Sequence, residues 1–261
     1  MMGRDFSGAR RITVKIGTSS LTDERSRLDE RKVGKFVHDV MSVREGREIL
    51  VVTSGAIGAG VGRLNLKGRP ERLDMLQAAA AVGQGILMQT YEKFFSEYGQ
   101  PVAQLLLTAE DFTHPERLRN LQATLQNLLS WGVIPIINEN DTVATEEIRI
   151  GDNDLLAAQV AVHSNADLLV ILSDVDGLFT EDPRNSAGAR LVRLVERVSP
   201  ELEEAVSRSS KRFGGMYTKV LAAKMATSSG IFTVLANSAE RDVLRRILAG
   251  EEIGTIFLPQ R

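Results

Sequence analysis

Two lysines, five aspartates and two glycine-rich turns fall at the ends of stretches that have the apolar pattern of β-strands or at the predicted starts of helices. Lys15 ends the first of these stretches, and Lys219 follows two glycines at positions 214–215, where a helix is predicted to begin. A single lysine most often extends into solvent. Placed beside glycine-rich turns, the two lysines indicate instead a site that stabilises the charge of a phosphoryl group during its transfer.

The turn of residues 53–60 places glycines and small residues between a predicted strand and a predicted helix. Glycine lets the backbone approach an anion closely, and a helix N-terminus offers unpaired amide protons. The turn therefore suits a phosphate or a carboxylate, with tight strand-to-helix packing as the alternative. It is not a Walker A loop, because no Gly-Lys-Ser/Thr ends it.

Short acidic and amide side chains concentrate in two turns, residues 138–141 and residues 151–154. Aspartate is common in turns and at helix starts, so Asp152 or Asp154 could simply cap the helix that runs to His163. The two turns nevertheless hold more polar groups than capping needs. Together they could supply acceptors for an ammonium group and donors for a carboxylate, as the binding of a zwitterion requires.

The elements that must position these residues predict an α/β protein. Helical patterns, the longest at residues 73–98, alternate with apolar stretches at residues 12–16, 48–53, 102–107, 133–137, 167–172, 231–235 and 255–258. Such strands indicate a mainly parallel open sheet covered on both faces, a three-layer α/β/α sandwich. Ligands of these sheets bind beyond the carboxyl ends of the strands, where the polar turns fall.

Length and composition fit one domain and exclude several functions. Residues 1–9 are predicted to be a disordered lead-in, and residues 10–261 a single domain with a large core. A formal net charge of -2 offers no excess of charge for nucleic acid or a membrane surface. Cysteine is absent, the three histidines match no metal-ligand spacing, and without a signal peptide or a membrane-spanning stretch a cytoplasmic location is expected.

Taken in order, the motifs resemble the glutamate 5-kinase branch of the amino acid kinase superfamily. The resemblance runs from about residue 11 to residue 258. It rests on Val14-Lys-Ile-Gly-Thr-Ser-Ser20, Val52-Thr-Ser-Gly-Ala-Ile-Gly58, Pro135-Ile-Ile-Asn-Glu-Asn-Asp-Thr-Val143, Gly151-Asp-Asn-Asp154, Ser173-Asp174 and Gly214-Gly-Met216 with Thr218-Lys219. The pairing of Ile-Asn-Glu-Asn-Asp with Gly-Asp-Asn-Asp separates this branch from the acetylglutamate, carbamate and uridylate kinases.

The resemblance implies that ATP phosphorylates the side-chain carboxylate of L-glutamate, giving γ-glutamyl 5-phosphate and ADP in the first step of proline biosynthesis. By the same resemblance, Lys15 and Lys219 would neutralise the moving phosphoryl group, and Asp154 would orient both lysines. The residues that would hold glutamate are Ser54, Asp141 and Asn153.

The resemblance also implies the nucleotide contacts, with Mg²⁺ carried on the phosphates and no protein ligand assigned to it. Phe213 and Tyr217 are bulkier than the small residues typical of the family's nucleotide loop. The residues that would bind ATP are Lys15, Ser173, Asp174, Phe213, Gly214, Gly215, Met216, Tyr217, Thr218 and Lys219.

Family members also suggest partners and alternatives. A homo-oligomer, dimer or tetramer, is expected, with a hand-over of product to glutamyl phosphate reductase. Many bacterial members carry a C-terminal domain of the PUA type, which this chain is expected to lack. The alternatives are another small-molecule kinase of the superfamily, such as an acetylglutamate kinase, and a non-catalytic sensor. A sensor would be marked by the loss of Lys15, Lys219 or Asp154, and all three are present.

Overall fold

The computed structural model of the protein describes residues 5–144, 153–181, 183, 186, 188–209 and 215–260. The strands in these ranges are β1 Arg11–Ile16, β2 Glu48–Val52, β3 Val102–Leu107, β4 Ile134–Glu139, β5 Leu168–Ser173, β6 Leu194–Val195, β7 Phe232–Asn237 and β8 Thr255–Phe257. The helices are α1 Glu30–Met41, α2 Ala56–Arg63, α3 Leu73–Ser96, α4 Glu110–Thr113, α5 Pro115–Ser130, α6 Asp154–His163, α7 Pro200–Ser209, α8 Met216–Ser228 and α9 Val243–Leu248, and a 3₁₀ turn spans Thr18–Ser20.

The strands form one sheet in the order β3-β4-β2-β1-β5-β7-β8-β6. From β3 to β7 every pair is parallel, whereas β8 runs antiparallel to β7 and parallel to β6. The chain passes from β4, on one side of β1, to β5, on the other side. This reversal of direction opens a crevice at the carboxyl ends of β1 and its neighbours, which is where open α/β sheets bind ligands.

Helices cover the sheet on both faces because successive strand side chains point to opposite sides. On one face, Ile12, Val14 and Ile16 of β1 share a core with α1, α3 and α9. On the other face, Leu169 and Ile171 of β5 share a core with α5, α6 and α8. The predicted three-layer α/β/α sandwich is therefore confirmed.

Two glycines allow α2 and α3 to touch through their backbones. A Cβ atom at Gly60 would lie 1.8 Å from the carbonyl oxygen of Ala79, and one at Gly83 would lie 1.8 Å from that of Ala56. A side chain at either position would have to push the helices apart. The contact therefore fixes α2, whose first turn borders the crevice, against the long helix α3.

Sequence patterns locate the seven longer strands to within two residues at each end, but they do not reveal β6. Two residues, Leu194 and Val195, are too few to show an alternation. Within the predicted lead-in, Phe6 is buried, with its ring centre 5.3 Å from that of Phe232. Within the described ranges, no helix combines the length and apolar character needed to cross a membrane.

Both described ends of the chain lie near the amino ends of the parallel strands, away from the crevice. Backbone N–H groups of Arg10 and Arg11 donate to Asp167, just before β5, at 2.7 and 2.8 Å. Because β8 is antiparallel to β7, the described chain after β8 also lies near the amino ends of the parallel strands. There the Gln260 N–H donates to the carbonyl of Thr227, near the C-terminus of α8, at 2.8 Å.

Candidate active site

One buried carboxylate lies between two lysines at the base of the crevice. Asp154 begins α6, and its side chain is 0% exposed. Its Oδ1 lies 2.7 Å from Lys15 Nζ of β1, and its Oδ2 lies 3.0 Å from Lys219 Nζ in the first turn of α8. Thr218 donates its hydroxyl to the same Oδ2 at 2.9 Å. The three ionised side chains together carry one net positive charge.

This arrangement suits an anionic ligand. Burying an ammonium group is costly unless a counter-charge and hydrogen bonds compensate for the lost water, and Asp154 provides these for both lysines. Lys15 and Lys219 also border an open cavity of about 650 Å³ that Gly17, Ser173 and Asp174 help to line. The remaining positive charge therefore faces a space large enough for the phosphates of a nucleotide.

The helix-capping interpretation of Asp154 is wrong. Asn153 occupies the N-cap position of α6, and its side chain makes no capping hydrogen bond among the described residues. The Asp154 carboxylate instead contacts Lys15 and Lys219, because the N-terminus of α6 lies next to the C-terminal end of β1 and the N-terminus of α8. Asp152, the other residue considered for this cap, lies outside the described residues.

Glycines precede two helices at the crevice, as the glycine-rich motifs predict. Gly55 precedes α2 with a φ of 102°, and Gly215 precedes α8 with a φ of 78°, conformations that favour glycine. A Cβ atom at Gly215 would meet nothing within 4 Å among the described residues, and Gly215 lines the larger cavity. Both helix N-termini border a cavity and offer amide protons to an anion.

A second, narrower cavity holds all three residues that the sequence assigns to the acceptor. It adjoins the first cavity at Thr18. The Ser54 hydroxyl is buried and has no hydrogen-bond partner among the described residues, so it is available to a ligand. The polar side chains that line this acceptor cavity are Thr18, Ser54, Arg69, Asn138, Glu139, Asp141 and Asn153.

The carboxyl of Asp141 in the acceptor cavity has a strongly displaced pKa. Burial raises the pKa of this carboxyl from 3.8 to about 6, and the positive charge of Arg69 acts in the opposite direction. Burial likewise lowers the pKa of Arg69, with Asp141 opposing that change. Each group thus influences the pKa of the other, and Asp141 changes its charge at a pH of about 6.

Two of the predicted nucleotide residues, Ser173 and Asp174, line the larger cavity with the lysines. Ser173 ends β5, and its hydroxyl donates to Asp174, the next residue, at 3.2 Å. Met216 and Tyr217 are partly buried against the core that α8 shares with the sheet. Phe213 and Gly214 lie outside the described residues, so their contacts stay predictions.

Sequence reasoning did not single out Arg69 or Lys32. Arg69 lies in a Gly-Arg-Pro loop between α2 and α3, which has the composition of an ordinary surface turn. Lys32 lies on the polar side of α1 and lines the larger cavity, where its ammonium group donates to the Ser19 carbonyl at 3.1 Å. Neither position carries a sequence signal that distinguishes it from a solvated charge.

The described residues contain no cluster of three or more His, Asp or Glu side chains that could hold a metal ion. The histidines stand apart from the two cavities. His38 contacts the Tyr98 hydroxyl at 3.0 Å, and His163 stacks on Phe112 while burial lowers its pKa.

Comparison with known proteins identifies the class. A family model described as the amino acid kinase family matches residues 10–237, a range that includes Lys15, Asp154 and Lys219. The chain belongs to the amino acid kinase family. The solved structure of UMP kinase from Bacillus anthracis superposes with a TM-score of 0.64 at 18% identity and covers 97% of both chains, which shows the shared fold alone.

Relatives of higher identity define the branch. Glutamate 5-kinase of Caldanaerobacter subterraneus subsp. tengcongensis is 54% identical over 254 residues, which are 96% of this chain and 68% of that protein. The glutamate 5-kinase of Symbiobacterium thermophilum is 49% identical over 95% of both chains. Within the amino acid kinases, the chain belongs to the glutamate 5-kinase family, and the resemblance carried by its motifs is confirmed.

Proposed function

We propose that this protein transfers the γ-phosphoryl group of ATP to the side-chain carboxylate of L-glutamate, giving γ-glutamyl 5-phosphate and ADP in the first step of proline biosynthesis. The observation that carries the proposal is the pair of lysines on Asp154, which line a cavity of nucleotide size that adjoins a small polar cavity at Thr18. The family membership of the chain supports the choice of reaction.

The reaction needs little covalent help from the protein. A glutamate carboxylate is ionised at neutral pH and is already a nucleophile, so no general base is required. One of its oxygens forms a bond to the γ-phosphorus while the bond from that phosphorus to the β–γ bridging oxygen breaks, and ADP leaves with the electron pair. Because both reactants are anions, the protein mainly has to reduce their repulsion and align them.

Lys15 and Lys219 are the residues placed to reduce that repulsion. Their ammonium groups line the larger cavity, which adjoins the acceptor cavity at Thr18, and would neutralise the charge that spreads over the equatorial oxygens of the phosphoryl group. Asp154 fixes both groups through its two carboxylate oxygens, so neither lysine has to reorganise during the reaction. Mg²⁺, when bound through the phosphates, adds further neutralisation of their charge.

The acceptor cavity supplies complementary partners for an amino acid. Asp141 is an acceptor for the α-ammonium group when it is ionised, Asn153 contributes its amide, and Ser54 offers an unengaged hydroxyl. On the donor side, Ser173, Asp174 and the segment of residues 213–219 would bind ATP. Mg²⁺, a dimeric or tetrameric assembly, product hand-over to glutamyl phosphate reductase and a cytoplasmic location belong to the same proposal.

An acceptor panel tests the assignment. ADP release is measured with glutamate, N-acetylglutamate, carbamate and UMP as acceptors at saturating Mg-ATP. Glutamate is expected to be the preferred acceptor by a wide margin. Preference for N-acetylglutamate would identify the alternative, an acetylglutamate kinase, while nucleotide binding without ADP release for any acceptor would favour a sensor.

A further inference from the structure

A chain of hydrogen-bonded amides links α3 to the acceptor cavity. Gln84 Oε1 accepts a hydrogen bond from Asn138 Nδ2 at 2.8 Å, and Asn138 Oδ1 accepts one from Asn153 Nδ2 at 2.6 Å. Asn138 and Asn153 line the cavity, whereas Gln84 lies behind it on α3. The orientation of the Asn153 amide, which lines the cavity, is thus coupled to Gln84, which does not line it.

Two backbone groups determine which way these amides point. The Glu139 N–H donates to Asn138 at 2.9 Å, so this end of the Asn138 amide has to be the oxygen. The Thr53 carbonyl accepts from Asn153 at 2.6 Å, so this end of the Asn153 amide has to be the nitrogen. Because backbone donors and acceptors cannot exchange roles, flipping either amide would place like atoms against each other.

The orientation has a chemical consequence for the cavity. An amide nitrogen has two protons, and those of Asn153 are directed to the Thr53 carbonyl and to Asn138. The group that Asn153 can offer to a ligand is therefore its carbonyl oxygen, a hydrogen-bond acceptor. An acceptor at this place suits an ammonium group and disfavours a carboxylate.

Gln84 is held in an unfavourable state to keep this orientation. Its Nε2 is buried and has no hydrogen-bond partner among the described residues, which is costly for an amide donor. A flipped Gln84 amide would turn its NH₂ group towards the NH₂ group of Asn138. The oxygen has to face Asn138, which leaves the Nε2 donor without a partner among the described residues.

We infer that Gln84 is a positioning residue for the acceptor substrate: through Asn138 it holds the Asn153 amide with its carbonyl oxygen available to the α-ammonium group. The inference rests on the proposed function, because it takes the acceptor to be an amino acid. It adds a specificity determinant on α3, outside the residues that contact the substrate.

Substitutions at Gln84 test the inference when glutamate is compared with glutarate, the same dicarboxylate without the ammonium group. Gln84→Met removes the acceptor for Asn138 with little change in size, and Gln84→Glu keeps an acceptor there. Gln89→Met, on the exposed side of the same helix, is the matched control. Wild type and variants are assayed for kcat and for the KM of each substrate.

For Gln84→Met we expect the glutamate KM to rise about tenfold and the preference for glutamate over glutarate to fall by a similar factor, the scale of one oriented hydrogen bond. The ATP KM should change less than about twofold, since the ATP cavity does not include this relay. Gln84→Glu should restore most of the preference, and Gln89→Met should behave as wild type. If Gln84→Met cannot be purified folded, Gln84→Asn, which withdraws the acceptor by one methylene, is measured for the same effects.

An unchanged preference in Gln84→Met or Gln84→Asn would overturn the inference, and so would a loss in Gln84→Glu as large as that in Gln84→Met. These results leave the proposed function intact as long as the wild-type protein phosphorylates glutamate. Failure of the proposed function shows separately, in wild-type protein that does not use glutamate. A preferred acceptor without an ammonium group would refute both.

Discussion

Lys15 and Lys219 bind opposite oxygens of one carboxylate, at 2.7 Å and 3.0 Å from Asp154, although they come from a central strand and from the start of a late helix. The shared partner sets the distance between the two ammonium groups. Their spacing therefore depends on the sheet and on the packing of α6 against α8, and hardly on the flexibility of lysine side chains.

Loss of one ammonium group should affect the chemical step more than binding. Lys219→Ala is expected to reduce kcat at least ~10²-fold, the scale for removing one preorganised charge-stabilising donor. Lys224→Ala, one turn further along α8, where the lysine pairs with Glu203 at the surface, should leave kcat nearly unchanged. Steady-state rates at saturating ATP and glutamate make the comparison, and a Lys219→Ala variant with near-normal kcat would remove this lysine from the mechanism.

Asp154 should matter for folding as well as for catalysis. Asp154→Asn leaves two buried ammonium groups without a counter-charge, and breaking such a pair destabilises proteins by about 3–5 kcal/mol. Asp74→Asn, which alters an exposed carboxylate in the first turn of α3, should change the free energy of unfolding by less than about 1 kcal/mol. Urea denaturation followed by circular dichroism measures both, and equal stability of the two variants would contradict the buried pairing.

Glutamate binding should weaken as the pH falls through about 6. Burial holds the pKa of Asp141 at about 6, so acidification protonates this carboxyl and removes an ionised acceptor for the α-ammonium group. Arg69→Gln removes the charge that lowers this pKa, and the inflection in the glutamate KM should move to higher pH. Arg72→Gln is the control, because Arg72 is exposed and pairs with Asp74 instead. KM–pH profiles in which Arg69→Gln coincides with wild type would show that Arg69 does not influence Asp141.

The Asp141 carboxyl should also make the free energy of unfolding depend on pH. Its pKa in the folded protein lies above the ordinary value of 3.8, so its contribution to stability is fully present below pH 3.8 and is lost as the pH rises through about 6. Asp141→Asn should abolish this part of the pH dependence. Unfolding free energies of wild type and Asp141→Asn, measured between pH 3.5 and 7.5, isolate the contribution of this carboxyl. If the two proteins show the same dependence of unfolding free energy on pH, the pKa of Asp141 is not raised.

The contact between α2 and α3 gives a matched pair of glycine substitutions. Gly83→Ala would place its Cβ 1.8 Å from the Ala56 carbonyl oxygen, and we expect destabilisation of about 3 kcal/mol or more, because backbone cannot yield as a flexible side chain can. Gly85→Ala, on the same helix, meets nothing within 4 Å and should stabilise the helix by roughly 0.5–1 kcal/mol. Thermal denaturation of the two variants compares them, and effects of the same sign would contradict the backbone contact.

The sequence predicts much of this molecule because local pattern and chemistry coincide in it. Apolar runs mark the long strands, and polar segments such as residues 138–141, which include the last two residues of β4, lie at the strand ends that the parallel sheet brings together. Two features escape such reasoning. The antiparallel pairing of β8 with β7 depends on contacts between distant segments, and β6 is too short to carry a period.

The supporting residues of the site could not be predicted for a different reason. Arg69 and Gln84 have the sequence surroundings of a surface loop and of an ordinary amphipathic helix. Their importance comes from the tertiary distances that place Arg69 beside Asp141 and Gln84 behind Asn138. A residue that acts through a neighbour shows no motif of its own.

The reversed direction of β8 has a practical consequence for handling the protein. Since Gln260 and Arg10 both lie near the amino ends of the parallel strands, away from the crevice, a tether to a solid support that is attached through the segment before Arg10 or after Gln260 would leave the described part of the chain at a point far from both cavities. Held in this way, the protein would present its substrate openings to the solution, which favours formats that capture it on a surface and flow substrates over it.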